Sequence, residues 1–205
     1  MKFLLFCEGA TEKKALPSFL KRCLDSHLSQ PVGITPVKFE GWRDLYGGVK
    51  KKSHLRLQEK DVIAVISLLD LYGPTFYPEH LKASDKKHDW AKKHIEDIVG
   101  HERFKQFFAV HEVEAWLLSK PDLFPNEIRS GLPGKIAKPE TVNFDEPPAK
   151  LLDRLYQDRL KRSYKKVVHG KELFDKLSPD TVRSKCPRFA MMLDEMLVLA
   201  KAAGL

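Results

Sequence analysis

The sequence has only three cysteines in 205 residues, Cys7, Cys23 and Cys186, far apart and with no CxxC pair. That spacing excludes a cysteine zinc site and a disulfide framework, and it predicts a cytoplasmic, reducing environment. Long apolar runs are missing as well. No stretch approaches the ~18 residues of a membrane span, so a soluble chain with no membrane partner is expected. The opening Lys2-Phe-Leu-Leu-Phe-Cys imitates a signal peptide, but its apolar run stops at Glu8 and no small-residue cleavage site follows. There is no Walker-type glycine loop, which leaves nothing suited to cradling ATP phosphates, and no internal repeat or low-complexity tract. Acids are the minority charge. With 36 Lys plus Arg against 28 Asp plus Glu, the net charge is +8, and this favours a polyanionic partner such as nucleic acid.

What the sequence does contain is an alternation of strand and helix patterns. Residues 3 to 7 are continuously apolar and end at Glu8-Gly9, as in a strand covered on both faces. Ala15, Leu16, Phe19, Leu20, Cys23, Leu24 and Leu28 then fall on one helical stripe. Thr11 is the expected N-cap, and Glu12 in the first turn suits the helix dipole. Pro17 would cost a backbone bond there, which predicts a kink or a late start. Residues 32 to 39 read as an edge strand, because Pro36 cannot donate to a central ladder. A basic helix is expected over 45 to 59, and the β-branched run Val62 to Asp70 is the strongest strand. A helix over 84 to 99, a strand over 104 to 110 and a helix from His111 complete the pattern.

The fold class expected is therefore α/β: a mostly parallel, three-layer sheet flanked by helices over residues 1–120. Residues 121–150, rich in Pro, Gly and Lys, read as a long irregular connection. Together with the helices beyond them they make residues 121–205 a loop and helical C-terminal extension packed on the core. In that extension Leu151, Leu152, Leu155, Tyr156 and Leu160 form one stripe, and Phe189, Met192, Leu193, Met196, Leu197 and Ala200 another. Ser178-Pro179 is a helix-start signal.

Ligands of parallel sheets gather at the carboxyl ends of the strands. Glu8, Asp70, Glu112 and Glu114 each lie just past such an end, so the pattern draws acids to one sheet edge. Carboxylates held together repel, and an oxygen-only set calls for Mg²⁺ or Mn²⁺. Two such ions on a phosphodiester would activate water and stabilise the leaving oxygen. Plainer readings stand beside this one. Glu12 is already explained by the helix dipole. Glu112 and Glu114 point about 200° apart on an ideal helix and share a face only on an extended chain. Lys166 sits in a charge run with Arg159, Lys161, Arg162, Lys165 and Lys171, and such runs are usually solvated faces. His111 and His169 could relay protons, although lone histidines are more often structural. Trp42, Trp90 and Trp116 suit packing better than base stacking. Lys50, Lys51, Lys52, His54 and Arg56 could touch a nucleic-acid backbone without reading sequence.

Several stretches also carry a family resemblance. "LLFCEGATEKKALPSFL" resembles the opening motif of Toprim domains, a strand ending in Glu-Gly with a second Glu on the helix, and "VISLLDLYG" resembles the second motif, a strand ending in Asp-x-Asp. Joined with "HEVEAWLLS", "YKKVVHGKELF" and "VRSKCPRFAMMLDEML", they make the chain from Phe3 to about Leu197 resemble the Toprim-like group called domain of unknown function 4276. The resemblance implies a Toprim-like (Rossmann-like) fold and metal-dependent phosphodiester hydrolysis, like that of the overcome-lysogenization-defect (OLD) nucleases. It also implies bacterial antiviral defence beside an ATPase partner encoded nearby, which would supply any ATP use. Carried over, it makes Glu8 and Glu12 the first acids and Asp70 the first Asp. Glu114 takes the later acid position, with Glu112 where a serine often stands. Lys166 becomes the lysine on the phosphate, with Lys165 as its rival. Catalysis then falls to Glu8, Asp70, Glu114 and Lys166, and metal binding to Glu8, Glu12, Asp70, Glu112 and Glu114. Tyr72 replaces the second Asp and removes a carboxylate, for which Glu112 would compensate. Two other functions stay open: a catalytically degenerate Toprim module that binds nucleic acid or a partner protein, and a metal-dependent phosphotransferase or phosphatase acting on small molecules.

Overall fold

The computed structural model of the chain describes residues 1–140 and 146–205. Apolar runs form the strands β1 (Lys2–Cys7), β2 (Gly33–Lys38), β3 (Val62–Asp70) and β4 (Phe104–Ala109). They pair in parallel as one four-stranded sheet in the order β2-β1-β3-β4. Pro36 lies on the edge strand opposite Leu5, where its missing N–H costs no central bond. β1 and β3 are buried almost throughout, which is why their sequences are apolar without alternating.

The crossovers are the helices α1 (Ala10–Asp25), α2 (Trp42–Arg56) and α3 (Ser84–Val99). Phe3 and Leu5 of β1 share a core with Leu16, Phe19 and Leu20 of α1, whereas Leu4 and Phe6 share the other core with Val49 of α2 and Ile95 of α3. The strand period of two therefore divides β1 between the two faces. Beyond the sheet come α4 (Glu114–Leu117), α5 (Asn126–Arg129), α6 (Pro148–Leu160), α7 (Lys166–Lys176), α8 (Pro179–Lys185) and α9 (Pro187–Ala202). Leu152 and Leu155 of α6, Phe174 of α7 and Phe189, Met192 and Met196 of α9 join the α1 core, so these helices complete the face that α1 begins. α9 packs on β3 and β4, and α7 on α1.

Several expectations are corrected. α1 starts at Ala10 with Gly9 as its cap, so Thr11 is a buried first-turn residue instead of the N-cap. The helix does not start late but runs on through Pro17, because the stripe Ala15, Leu16, Phe19 and Leu20 is wholly buried across that point and offsets the lost bond. The helix expected after β4 shrinks to the single turn α4. The 121–150 connection is less irregular than its composition suggests, holding α5 and the 3₁₀ turns Pro121–Leu123 and Gly134–Ala137 and anchored by buried Phe124 and Ile128. Its residues 141–145 lie outside the described residues. Ser178 caps α8 ahead of Pro179 as expected. Among the described residues no helix is long and apolar enough to cross a membrane.

Candidate metal centre

From β1 the chain crosses to β2 on one side and then returns to place β3 on the other, so the order reverses between the two central strands. A reversal of this kind opens a crevice at the carboxyl ends, since the connections leave in opposite directions. Glu8 follows β1 and Asp70 ends β3 at this crevice. Cys7 pairs with Leu68 and Asp70 with Ala109, and neighbouring strands run about 4.8 Å apart. The two acids therefore leave the sheet side by side.

Glu12 reaches the same crevice from the first turn of α1 by folding back over Gly9. A Cβ on Gly9 would lie 2.3 Å from Glu12 Oε2. Glycine is needed here for space and not for backbone conformation, since its φ of −132° is ordinary extended backbone. Gly9→Ala is expected to fold, because only the flexible end of Glu12 must yield, and to weaken Mn²⁺ binding by roughly 10-fold through the displaced carboxylate. Calorimetric melting and Mn²⁺ titration of the variant check both halves of that expectation.

Glu112 and Glu114 arrive by a geometry that is neither ideal helix nor strand. His111 has φ +66°, a left-handed conformation uncommon outside glycine. Its carbonyl accepts from Tyr72 N at 3.2 Å. This turn aims both acids at one lysine: Lys166 Nζ is 3.5 Å from Glu112 Oε1 and 3.6 Å from Glu114 Oε2. Val113 N, between them, donates to Asp70 Oδ1 at 3.2 Å, and Ala149 N at the start of α6 donates to Glu112 Oε2 at 3.0 Å. Lys166 opens α7, where a cation opposes the helix dipole, and the facing carboxylates supply the compensation. α7 is seated by Gly170, whose missing Cβ would lie 3.2 Å from Thr11 Cγ2. At the other end Arg22 of α1 donates to the carbonyls of Phe174 and Leu177 at 2.8 and 2.9 Å.

Burial dominates the electrostatics. Asp70 is 8% exposed and Glu114 1%. Burial, followed by the charge of Glu12, pushes the Glu8 carboxyl up to about 7. Burial likewise pushes Glu114 up to about 7 against the pull of Lys166. Asp70 is driven well above the usual carboxylate range by burial and by Glu12, Glu8, Glu114 and Glu112, and Glu12 is raised chiefly by burial. For Lys166, burial pulls the ammonium down, but Glu114, Glu112, Asp70 and Glu12 outweigh it and the net shift is upward. Glu8 Oε2, Glu12 Oε2 and both carboxylate oxygens of Glu114 are buried without a hydrogen-bond partner. Such groups are costly unless a cation satisfies them. An all-oxygen donor set of this kind fits Mg²⁺ or Mn²⁺. Among the described residues no three His, Cys, Asp or Glu side chains are already drawn into a ligating cluster, so the acids would have to close around an ion.

Other residues singled out by sequence lie elsewhere. Tyr72 is 59% exposed and lines a separate shallow cleft with Lys82, Lys87 and His111. Lys165 N donates to His169 Nδ1, and the His169 ring stacks on Tyr156 at 5.4 Å and tilts against Tyr164 at 5.7 Å. α2 starts beside the site, with Gly41 N donating to Glu8 O, and then runs away from it. Its basic stretch Lys50 to Arg56 consequently ends at the far edge of the sheet, where His54 Nε2 meets Val99 O at 2.8 Å and Arg56 pairs with Glu59. Trp116 is core and donates to Glu140 Oε1, while Trp42 and Trp90 pack around Phe76. Two site neighbours carried no sequence signal of their own. Tyr77 donates to Leu71 O at 2.9 Å, and burial, Glu8 and Asp70 raise its phenol. Tyr164 is raised by burial and by Glu114, and its hydroxyl is buried without a partner.

Residues 7–197 match the family described as Domain of unknown function (DUF4276). The chain belongs to that family. No curated protein matches this DUF4276 chain. Among solved structures it is similar to the C-terminal region of the Burkholderia pseudomallei OLD protein, at 15% identity and a TM-score of 0.45 over 94% of this chain and 97% of that one. It is also similar to the C-terminal region of the Xanthomonas campestris pv. campestris OLD protein, at 16% identity and a TM-score of 0.42 over 98% and 97% of the two chains. Likeness at that level says nothing about chemistry, which must stand on the site itself.

Proposed function

We propose that this DUF4276 chain is a metal-dependent nuclease that hydrolyses phosphodiester bonds of DNA or RNA at a Toprim-type carboxylate site. The observation that carries this reading is the convergence of Glu8, Glu12, Asp70, Glu112 and Glu114 on one crevice, with buried carboxylate oxygens unpartnered and one lysine among them. Acids gathered at such a cost to the metal-free fold are supported by function and not by packing. Glu8, Glu12 and Asp70 would hold Mg²⁺ or Mn²⁺, with Glu112 and Glu114 as the remaining acids. When bound, the cation would supply Lewis-acid charge for phosphodiester hydrolysis. Lys166 would hold a phosphate oxygen from the mouth of an open cleft of about 470 Å³ lined also by Lys150, Arg154 and Tyr164. The motif resemblance and the net charge of +8 support a nucleic-acid substrate, and the resemblance supports a defence role beside an ATPase partner.

Purified protein is expected to nick plasmid or degrade linear DNA or RNA in Mn²⁺ or Mg²⁺. Cleavage should stop with EDTA and fall steeply between 50 and 200 mM salt, as polynucleotide binding does. Release of phosphate from generic monoesters without cutting of nucleic acid would replace this reading with that of a phosphatase. A second reading, a degenerate binding module, is favoured by Tyr72, whose exposed ring stands outside the site. Nucleic-acid binding without cleavage in either metal would establish it.

A further inference from the structure

The Lys166 ammonium lies 3.5 Å from Glu112 Oε1 and 3.6 Å from Glu114 Oε2, almost midway between the two acids. Glu114 is 1% exposed, and neither of its oxygens has a hydrogen-bond partner. Glu112 is partly exposed and accepts from Ala149 N, but a carboxylate as buried as Glu114 needs a cation close by, and an ammonium with three N–H donors can serve both acids and keep one donor for a third group. The Lys166 side chain is itself 43% exposed, so its ammonium stands at the rim of the site and reaches in to a buried acid. Lys166 is held against the dipole of α7 by a helix whose seat on α1 is fixed by Gly170 and Arg22. The other half of the site has no cation so close: among the described residues no lysine, arginine or histidine forms an ion pair with Glu8, Glu12 or Asp70, and Lys166 acts on them only at longer range. Tyr72, a phenol where an acid would stand, adds no carboxylate after Asp70, and its side chain is largely exposed.

We propose that Lys166 is the second cation of the site: its ammonium fills the place between Glu112 and Glu114 that a second metal ion would otherwise take, and the chain binds a single Mg²⁺ or Mn²⁺ on Glu8, Glu12 and Asp70. The assignment rests on the metal-site reading above and narrows it. Glu112 and Glu114 become residues that position Lys166, and the third N–H of the ammonium faces the phosphate. Replacing two metal charges by one metal and one ammonium matches the loss of an acid at Tyr72.

The test is Mn²⁺ binding to the whole chain, followed by isothermal titration calorimetry and low-temperature electron paramagnetic resonance. Wild type is expected to bind one Mn²⁺ with the spectrum of an isolated ion. Lys166→Met is expected to bind two, with spin coupling, as Glu112 and Glu114 take the second ion beside Asp70. Glu112→Gln, which keeps side-chain volume, is expected to bind one as wild type does, and it serves as the second variant should Lys166→Met fail to fold by circular dichroism. Two coupled Mn²⁺ in wild type would overturn the proposal while leaving the metal-site reading intact. A single Mn²⁺ in folded Lys166→Met, or loss of Mn²⁺ binding in Glu112→Gln, would also overturn it. No Mn²⁺ bound to wild type would remove the metal-site reading as well.

Discussion

Asp70→Asn should abolish metal-dependent cleavage, lowering turnover by at least ~100-fold in saturating Mn²⁺, since even residues that only orient a metal ligand cost 10- to 100-fold. Asp70 is the acid most surrounded by others: Glu12, Glu8, Glu114 and Glu112 all act on it in a buried setting. Its Oδ1 accepts from Val113 N at 3.2 Å, a bond that an asparagine oxygen can keep, so the variant should hold the backbone that carries Glu112 and Glu114. Burial and four neighbouring acids already favour the uncharged form of this carboxyl, so an uncharged amide of the same size should leave the metal-free protein at least as stable as wild type. Melting temperature and cleavage rate should thus move in opposite directions or independently, which separates loss of a ligand from loss of the fold. Glu8→Gln is expected to behave alike. Cleavage by Asp70→Asn at the wild-type rate would remove this residue from the site and the nuclease reading with it.

In EDTA the protein should become less stable as pH rises from 5 to 8, by roughly 5–10 °C in melting temperature. Glu8 and Glu114 are raised from 4.5 to about 7, so between those values the folded chain retains protons that the unfolded chain has released. Their contribution is complete below about 4.5 and is lost as pH rises through about 7. Glu12, Asp70 and Glu140, also raised, act in the same direction. His88, lowered by burial, acts in the opposite one, its contribution fading as pH falls through its ordinary value, and it is a single group. Mn²⁺ should reverse the trend at pH 8, because a ligand at 100 times its Kd adds about 2.7 kcal/mol to the folded state. Scanning calorimetry across pH, with and without Mn²⁺, measures both effects. A melting temperature that is flat or rising from pH 5 to 8 in EDTA would contradict the clustering of protonated acids, and a Mn²⁺-independent one would contradict the metal site.

Much of this was legible in local sequence, because the signals are local. The burial of β1 and β3 on both faces, the edge position forced on β2 by Pro36 and the start of α8 at Ser178-Pro179 each depend on a few adjacent residues. Glu8 and Asp70 could be picked out for a similar reason: a charge that ends an apolar parallel strand lies at the edge where ligands bind. Thr11 was misread as a cap because hydroxyl preference is only a weak prior, and Gly9 took that place to make room for Glu12.

The composition of the site was decided by tertiary structure alone. Whether Glu112 and Glu114 face together turns on the left-handed His111, a conformation that histidine visits more than most residues but that only the surrounding chain fixes here. Whether Lys166 or Lys165 meets them turns on the docking of α7 against α1 through Gly170 and Arg22. The basic stretch from Lys50 to Arg56 is legible as a candidate backbone contact, but its distance from the acids is set by the direction of α2, which carries it to the opposite end of the sheet. Sequence determined which residues carry charge and where each strand ends; only the folded chain could bring acids from four separate segments to one crevice and set one lysine within ion-pair reach of two of them, since that juxtaposition is set by packing between residues far apart in the chain.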